Sequence, residues 1–432
     1  MASILIAFGD LLASAAGLLY GSLYLGIALA YSIQQKETWL GQNEEDAAHL
    51  RHALHELWSL SNNDGRLEHK FLKLRNGVQL HYLTPRGTET AQAAQTLVVF
   101  VHGFPDSAHL FTRQLHSPLA TKAKLVALDF PGCGGSDSLA SYGPDEVLNT
   151  VAEAIVQLKK QYLEGRSTRC ILVGHDWGGV VGFRLAAETE GLIDELVTLN
   201  SLWPEYAEEV LKSHLSRGQR LLSRWRMSEA RDELGPVFSQ LQKSGYTYML
   251  SLPFPIAKWM PRVTASLLKY AQGLEYKQSP SQAPDILATR LAMAYGPSSL
   301  ESALSNANSP HYGPSVLDRS NSNPPGDWDA RVRLYADGLL REKWTPSYNG
   351  HDISGKHGDD RAKGFRCPVH IIFGLGDVAL DPRVVLDGIE KYFRDDARDG
   401  KRIIRLPGCG HWSILEEEGI KALDGVLVEL IR

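Results

Sequence analysis

The chain has 432 residues, of which 43% are hydrophobic and 22% charged, so it is longer than one average domain and apolar enough to bury a substantial core. A formal charge of −5, with Lys and Arg dispersed along the chain, leaves no basic face and excludes nucleic acid as a partner. The four cysteines, Cys133, Cys170, Cys367 and Cys409, form no CxxC pair, so neither a zinc site nor a disulfide framework is expected, and no cofactor is implied.

The first predicted element is an apolar helix. Residues 11–33 carry no charge, and the run extends back to Ile4 with only Asp10 interrupting. About 20 such residues cross a bilayer as a helix. A cleaved signal peptide would bring a basic leading segment and a shorter apolar stretch; neither is present, so residues 1–35 read as a transmembrane or membrane-anchor helix. Gly17, Gly21 and Gly26 would also let a second helix approach closely. Lys36 and Arg51 follow the segment and no Lys or Arg precedes it, which favours a catalytic domain on the cytosolic side. Residues 36–67 then form a connection, with a predicted helix over 37–60 that sets Leu50, Leu54, Leu57 and Trp58 on one face.

From residue 68 the pattern changes to short β-rich runs separated by helical stretches. Strands are expected at 69–75, 78–84, 97–103, 124–130, 169–175, 195–201, 369–374 and 401–406. Several are continuous apolar runs, as in strands buried on both faces of a mostly parallel sheet flanked by helices. The alternation breaks over residues 202–361, which are helical in pattern, interrupted by proline and rich in Trp and Tyr. An α/β core of residues 68–201 and 362–432 is thus expected to carry a helical lid inserted after its sixth strand. Within that lid, the Ser-, Asn-, Pro- and Gly-rich stretch 298–327 reads as a flexible loop.

Chemistry concentrates at the predicted strand ends. Gly174-His175-Asp176-Trp177-Gly178-Gly179 joins the fifth strand to a helical run, the pattern of a nucleophile elbow, in which small flanking residues permit a strained turn. Its central residue is Asp rather than Ser, and a carboxylate oxygen can displace a leaving group at saturated carbon to give an ester on the enzyme. Hydrolysing that ester needs a base and a partner to orient it. His411, in Gly-Cys-Gly-His-Trp after the last strand, and Asp377, just past the seventh, follow the chain order of such a triad. Asp381, four positions on, is the rival acid. His102-Gly103-Phe104-Pro105 follows the third strand, and the backbone N–H groups of Phe104 and Trp177 are the expected oxyanion donors. His102, Gly103, Pro105 and Trp177 are assigned to the substrate-binding wall, and the X-Pro step before Pro105 is where a cis peptide is expected.

These motifs, in this order and spacing, resemble the epoxide hydrolase branch of the α/β-hydrolase fold over roughly residues 68–432, and the glycine-rich 129–137 resembles that family's turn after its fourth strand. The latter is no phosphate loop, because no Lys-Ser/Thr follows. The resemblance implies a two-step reaction. Asp176 opens the epoxide while two lid tyrosines protonate the departing oxygen, and His411, paired with Asp377, activates water to release a diol. Ser244-Gly245-Tyr246 matches the first lid motif, with Tyr248 as alternative; Tyr335, followed by Trp344, matches the second, with Tyr312 and Tyr348 as alternatives. The expected substrate is a small lipophilic epoxide, met at the membrane. A haloalkane dehalogenase would use the same nucleophile but needs an N–H donor for halide where Phe104 stands. A binding protein on a hydrolase scaffold would not be expected to keep nucleophile, base and acid together.

Overall fold

The computed structural model describes the chain except residues 1, 36–43, 61–65, 89–94, 164–167, 254–262, 264–265, 267–282, 304–310, 323–327, 346–363, 395–401 and 432. Among the described residues, eight strands form one sheet: β1 (Leu67–Lys73), β2 (Gln79–Pro85), β3 (Thr96–Val101), β4 (Lys124–Leu128), β5 (Arg169–His175), β6 (Glu195–Leu199), β7 (Val369–Gly374) and β8 (Ile403–Leu406). Their order is β1-β2-β4-β3-β5-β6-β7-β8. β2 pairs antiparallel with β1 and β4, and every pair from β4–β3 to β7–β8 is parallel.

The central strands β3 to β7 are buried on both faces, which is why they read as mostly apolar runs, whereas β8 at the edge is only partly buried. In β3, Leu97, Val99 and Val101 pack toward α3 (Pro144–Tyr162) and α4 (Trp177–Glu188). Val98 and Phe100 pack toward the turns at 108–115 and toward α12 (Glu417–Leu430). The expected β3, β4 and β6 each end two residues early, at Val101, Leu128 and Leu199. Beyond those ends the backbone leaves the ladder, and His102, Asp129 and Asn200 turn into buried polar contacts at the carboxyl edge, where open α/β sheets place their sites.

Between β6 and β7 the described residues form helices and no strand: α5 (Pro204–Ser223), α6 (Met227–Lys243), α7 (Gly245–Leu250), α8 (Ala283–Tyr295), α9 (Ser299–Ala303), α10 (Pro314–Ser320) and α11 (Trp328–Ala336). The expected flexible loop over 298–327 is not what the structure shows where it is described. α9 and α10 occupy part of it, Tyr312 is fully buried, and the Arg319 guanidinium donates to the Gly134 and Ser136 carbonyls at 3.0 and 2.8 Å. Where it is described, this polar stretch finds its partners far away in sequence, on the 129–137 turn.

The N-terminal helices belong to the same body. In α2 (Glu44–Trp58), Trp58 is fully buried and its indole N–H donates to the Ala292 carbonyl of α8 at 2.9 Å. α1 (Ala2–Gln34) contains Ser14–Gln34, which is long and apolar enough to cross a membrane, with a mean hydropathy of 1.5. One face of it, through Gly21, Leu25, Ala28 and Ser32, is buried, whereas Leu19, Leu23, Ile27 and Ile33 are exposed.

Candidate active site

Asp176 stands between β5 and α4 with φ 52° and ψ −118°, a conformation that few residues with a side chain adopt. The glycines around it make the turn possible. A Cβ at Gly174 would lie 2.5 Å from the Gly178 carbonyl carbon, one at Gly178 would run into Val101, and one at Gly179 into Ser201. Gly103 faces Asp176 so closely that any side chain there would overlap its carboxylate. The space is used by backbone donors. Phe104 N–H donates to Asp176 Oδ1 at 2.9 Å, and the Trp177 N–H also bonds the carboxylate. The Phe104–Pro105 peptide is cis.

On the other side, His411 Nε2 lies 3.6 Å from Asp176 Oδ2, and its Nδ1 bonds Asp377 Oδ2 at 2.9 Å. The carboxylate of Asp377 is fully occupied. Its Oδ1 accepts from the Ala379 and Leu380 N–H groups at 2.7 and 2.9 Å, and Oδ2 also accepts from Asn200 Nδ2 at 2.8 Å. Asp381 is elsewhere: it caps the turn at Pro382–Val385 and pairs with Arg383 at 2.6 Å.

The charges follow from this packing. Burial pushes the Asp176 carboxyl up to about 6, against the pull of His411 and of the Trp177 and Phe104 N–H groups. Burial alone would lower His411, but the charge and hydrogen bond of Asp377, helped by the Asp176 charge, raise it to about 9. Asp377 is held below the usual carboxylate range: burial raises it, and His411, Asn200 and backbone N–H groups more than offset that. At neutral pH the pair is therefore a carboxylate beside an imidazolium.

The insertion brings two tyrosines over the carboxylate. Tyr335 of α11 packs edge-on against Trp177 (ring centroids 5.0 Å) and Phe104 (5.8 Å), and Tyr246 of α7 packs against Tyr335 at 5.8 Å. The Trp177 indole N–H hydrogen-bonds the Tyr335 hydroxyl, which in turn bonds that of Tyr246. Burial and the nearby Asp176 charge push both phenols above their ordinary range, so both stay protonated at neutral pH. Tyr248 instead faces Tyr20 of α1, with centroids 5.3 Å apart, and Tyr312 donates to the Trp58 carbonyl at 2.7 Å. Tyr348 lies outside the described residues.

His102 is turned inward, away from the wall to which its motif assigned it. Its Nδ1–H donates to the Gly103 carbonyl at 2.7 Å, and its Nε2 accepts from Phe130 N–H at 2.9 Å, so it shapes the loop from behind. Two residues escaped the sequence reading. Asn200 ties Asp377 to β7, and its Oδ1 accepts from Gly374 N–H at 3.1 Å and from the Ser413 hydroxyl at 2.6 Å. Asp106, buried directly after the HGFP run, accepts from the Trp412 indole at 2.9 Å, beside His411. Their only signal was position, each just past the end of a central strand.

The alpha/beta hydrolase family matches residues 98–423, most of the chain and all of the residues of the site described above. The chain belongs to that family. Among curated relatives, this hydrolase is 26% identical over 152 residues to epoxide hydrolase 3 of Xenopus tropicalis, covering 35% of this chain and 38% of the relative. It is 23% identical over 201 residues to human epoxide hydrolase 4, covering 46% and 45%. The matched segments thus span less than half the length of each of these two relatives. The Cif epoxide hydrolase from Acinetobacter nosocomialis superposes with a TM-score of 0.53 at 17% identity, over 88% of this chain and 95% of that one, a likeness of fold.

Proposed function

We propose that this hydrolase converts a lipophilic epoxide to a vicinal diol through an ester on Asp176. The observation that carries the reading is the division of labour on one carboxylate: Oδ1 is held by Phe104 N–H at 2.9 Å, while Oδ2 lies 3.6 Å from His411 Nε2. Oδ2 attacks an epoxide carbon, the C–O bond of the ring breaks, and the electron pair goes to the oxygen, which takes a proton from Tyr246 or Tyr335. A protonated phenol serves as acid because an alkoxide is far more basic than a phenolate.

Esterification removes the Asp176 charge, which helps to hold His411 up, so the imidazolium gives up its proton more readily, and that proton returns the phenolate to a phenol and leaves a neutral imidazole as base. His411 then takes a proton from water, whose oxygen adds to the ester carbon. The Phe104 and Trp177 N–H groups already sit where the oxyanion forms. Collapse breaks the ester and releases the diol oxygen, which takes the imidazolium proton. The carboxyl left on Asp176 passes its proton to His411, which restores the resting carboxylate and imidazolium. Asp377 fixes the tautomer of His411 and stabilises its charge.

The sites next to the nucleophile argue against the dehalogenase alternative. Phe104 has no side-chain donor for halide, and the Trp177 indole is bonded to Tyr335. The inserted helices act as the lid. The uncharged outer face of α1 suits lipid, so the lid and the anchor meet the membrane together, with the catalytic domain on the cytosolic side. The test is one turnover of styrene oxide in ¹⁸O-water. Label recovered in Asp176 supports the ester, and label found only in the diol in that turnover refutes it; chloroalkanes offered in parallel would release halide under the alternative.

A further inference from the structure

The helix that reads as a membrane anchor grips the lid at the residue next to the candidate acid. Glycines on each side receive the other's tyrosine. Gly245, immediately before Tyr246, lies so close to the Tyr24 ring that a Cβ there would overlap it. In return, a Cβ at Gly21 would lie 2.6 Å from the Tyr248 carbonyl oxygen and 3.1 Å from Leu252, and one at Gly17 would be 3.7 Å from the Tyr248 ring. Hydrogen bonds fix the register: Tyr24 hydroxyl donates to the Gln242 carbonyl at 2.7 Å, and Tyr20 hydroxyl to the Leu241 carbonyl at 3.0 Å. Leu25 and Ala28 complete the contact with Met249 and Leu252.

Two of these features have no use in a helix that only crosses lipid. Small residues four apart let backbones approach, and they are spent here on a six-residue helix that by itself is too short to hold its place. The tyrosine hydroxyls cap carbonyls at the end of α6, from which Tyr246 hangs. Below the same turn, Gln240 donates to the Ala379 carbonyl at 3.0 Å, and the Lys243 ammonium to that of Asp377. The start of α7 is therefore held from the core on one side and from α1 on the other.

We infer that α1 is a positioning element of the active site, in which Gly21 and Tyr24 set the place of Tyr246 over the Asp176 carboxylate. This rests on the epoxide-opening role proposed above. An acid displaced by about 1 Å loses much of its effect, and the loss falls on ring opening alone, since ester hydrolysis uses His411 and the backbone donors.

The full-length protein in detergent micelles serves for the test, with formation and hydrolysis of the Asp176 ester followed separately by rapid quench and mass spectrometry. Gly21→Leu is compared with Gly26→Leu, the same change on the same helix where a Cβ meets nothing within 4 Å. Gly21→Leu is expected to slow ester formation on the order of tenfold and to leave hydrolysis within about twofold, with Tyr24→Phe intermediate and Gly26→Leu like wild type. Equal ester formation in Gly21→Leu and Gly26→Leu overturns the inference, as does a loss shared equally by both steps. A wild-type enzyme that forms no ester sinks the proposed chemistry as well, which separates the two failures.

Discussion

The two halves of the site are held by different means. The carboxylate, its backbone donors, the imidazole and Asp377 all sit within a few residues of the ends of β3, β5, β7 and β8, on a sheet buried on both faces. Tyr246 and Tyr335 sit on helices of six and nine residues that owe their places to neighbours, including the N-terminal helices. Changes in the first half should abolish a step outright. Changes in the second should grade it.

The sharpest break is Asp176→Asn, which keeps the shape of the elbow but removes the carboxylate proposed as nucleophile. Turnover is expected to fall on the order of 10⁴-fold with the fold retained by circular dichroism. Turnover near wild type would mean that no ester forms at this residue. His411→Gln comes next. It should slow ester hydrolysis on the order of 10³-fold while ring opening continues, so that intact-mass measurements show a trapped adduct. An enzyme that fails to accumulate the adduct would place the imidazole in the first step instead.

The same division explains how much could be read from the sequence. The elbow was legible because strand, strained turn and helix are adjacent in the chain, and Gly174, Gly178 and Gly179 are required by contacts within that unit and its neighbouring strands. Asp377 over Asp381 was legible from closeness to a strand end. All eight strands among the described residues were found, and the central ones, β3 to β7, stand out because burial on both faces writes each as an apolar run, whereas β1 and β8 at the edges are only partly buried. The docking of Trp58 on α8, the seating of Arg319 on the 129–137 turn and the grip of α1 on α7 join residues far apart in the chain, and no local pattern announces them. Asn200 was missed for a related reason: an Asn at the end of a strand looks like any turn residue until its partners arrive from β7 and the His411 loop.

The lid half is probed by Tyr246→Phe, which removes one hydroxyl and little else. Ester formation should slow about 10²-fold and hydrolysis should not change. Tyr248→Phe, one turn detail away but facing α1, should leave the hydrolysis step untouched and ring opening far less affected. Reversal of the two would move the acid to Tyr248.

A milder probe is pH. Asp176, raised to about 6 by burial, attacks only as the anion, so the rate of ring opening should fall toward tenfold per pH unit below that value and level off above it. The tyrosines, pushed above their ordinary range, stay protonated well into alkaline solution, so no matching fall is expected between pH 7 and about 9. Ring opening that is flat down to about pH 4 would show that the carboxyl keeps an ordinary acidity, and that burial is not what governs it.

The smallest effect distinguishes two carboxylates that the sequence sets side by side. Asp381 accepts from the Arg383 N–H at 3.0 Å and bonds its guanidinium at 2.6 Å, and no contact joins it to His411. Asp381→Asn retains an oxygen for the cap and weakens mainly the pairing with an Arg that is half exposed to solvent, beside a hydrogen bond with Ser239. The cost in stability should be below about 1 kcal/mol, read from thermal unfolding, because such pairs are largely screened. Both catalytic steps should stay within about twofold of wild type, whereas Asp377→Asn, which disturbs the tautomer and charge of His411, should slow hydrolysis on the order of 10³-fold or more. If Asp381→Asn proved the more damaging of the two, the acid would have to reach the imidazole through a rearranged loop, and the fixed strand-end geometry would no longer account for the base.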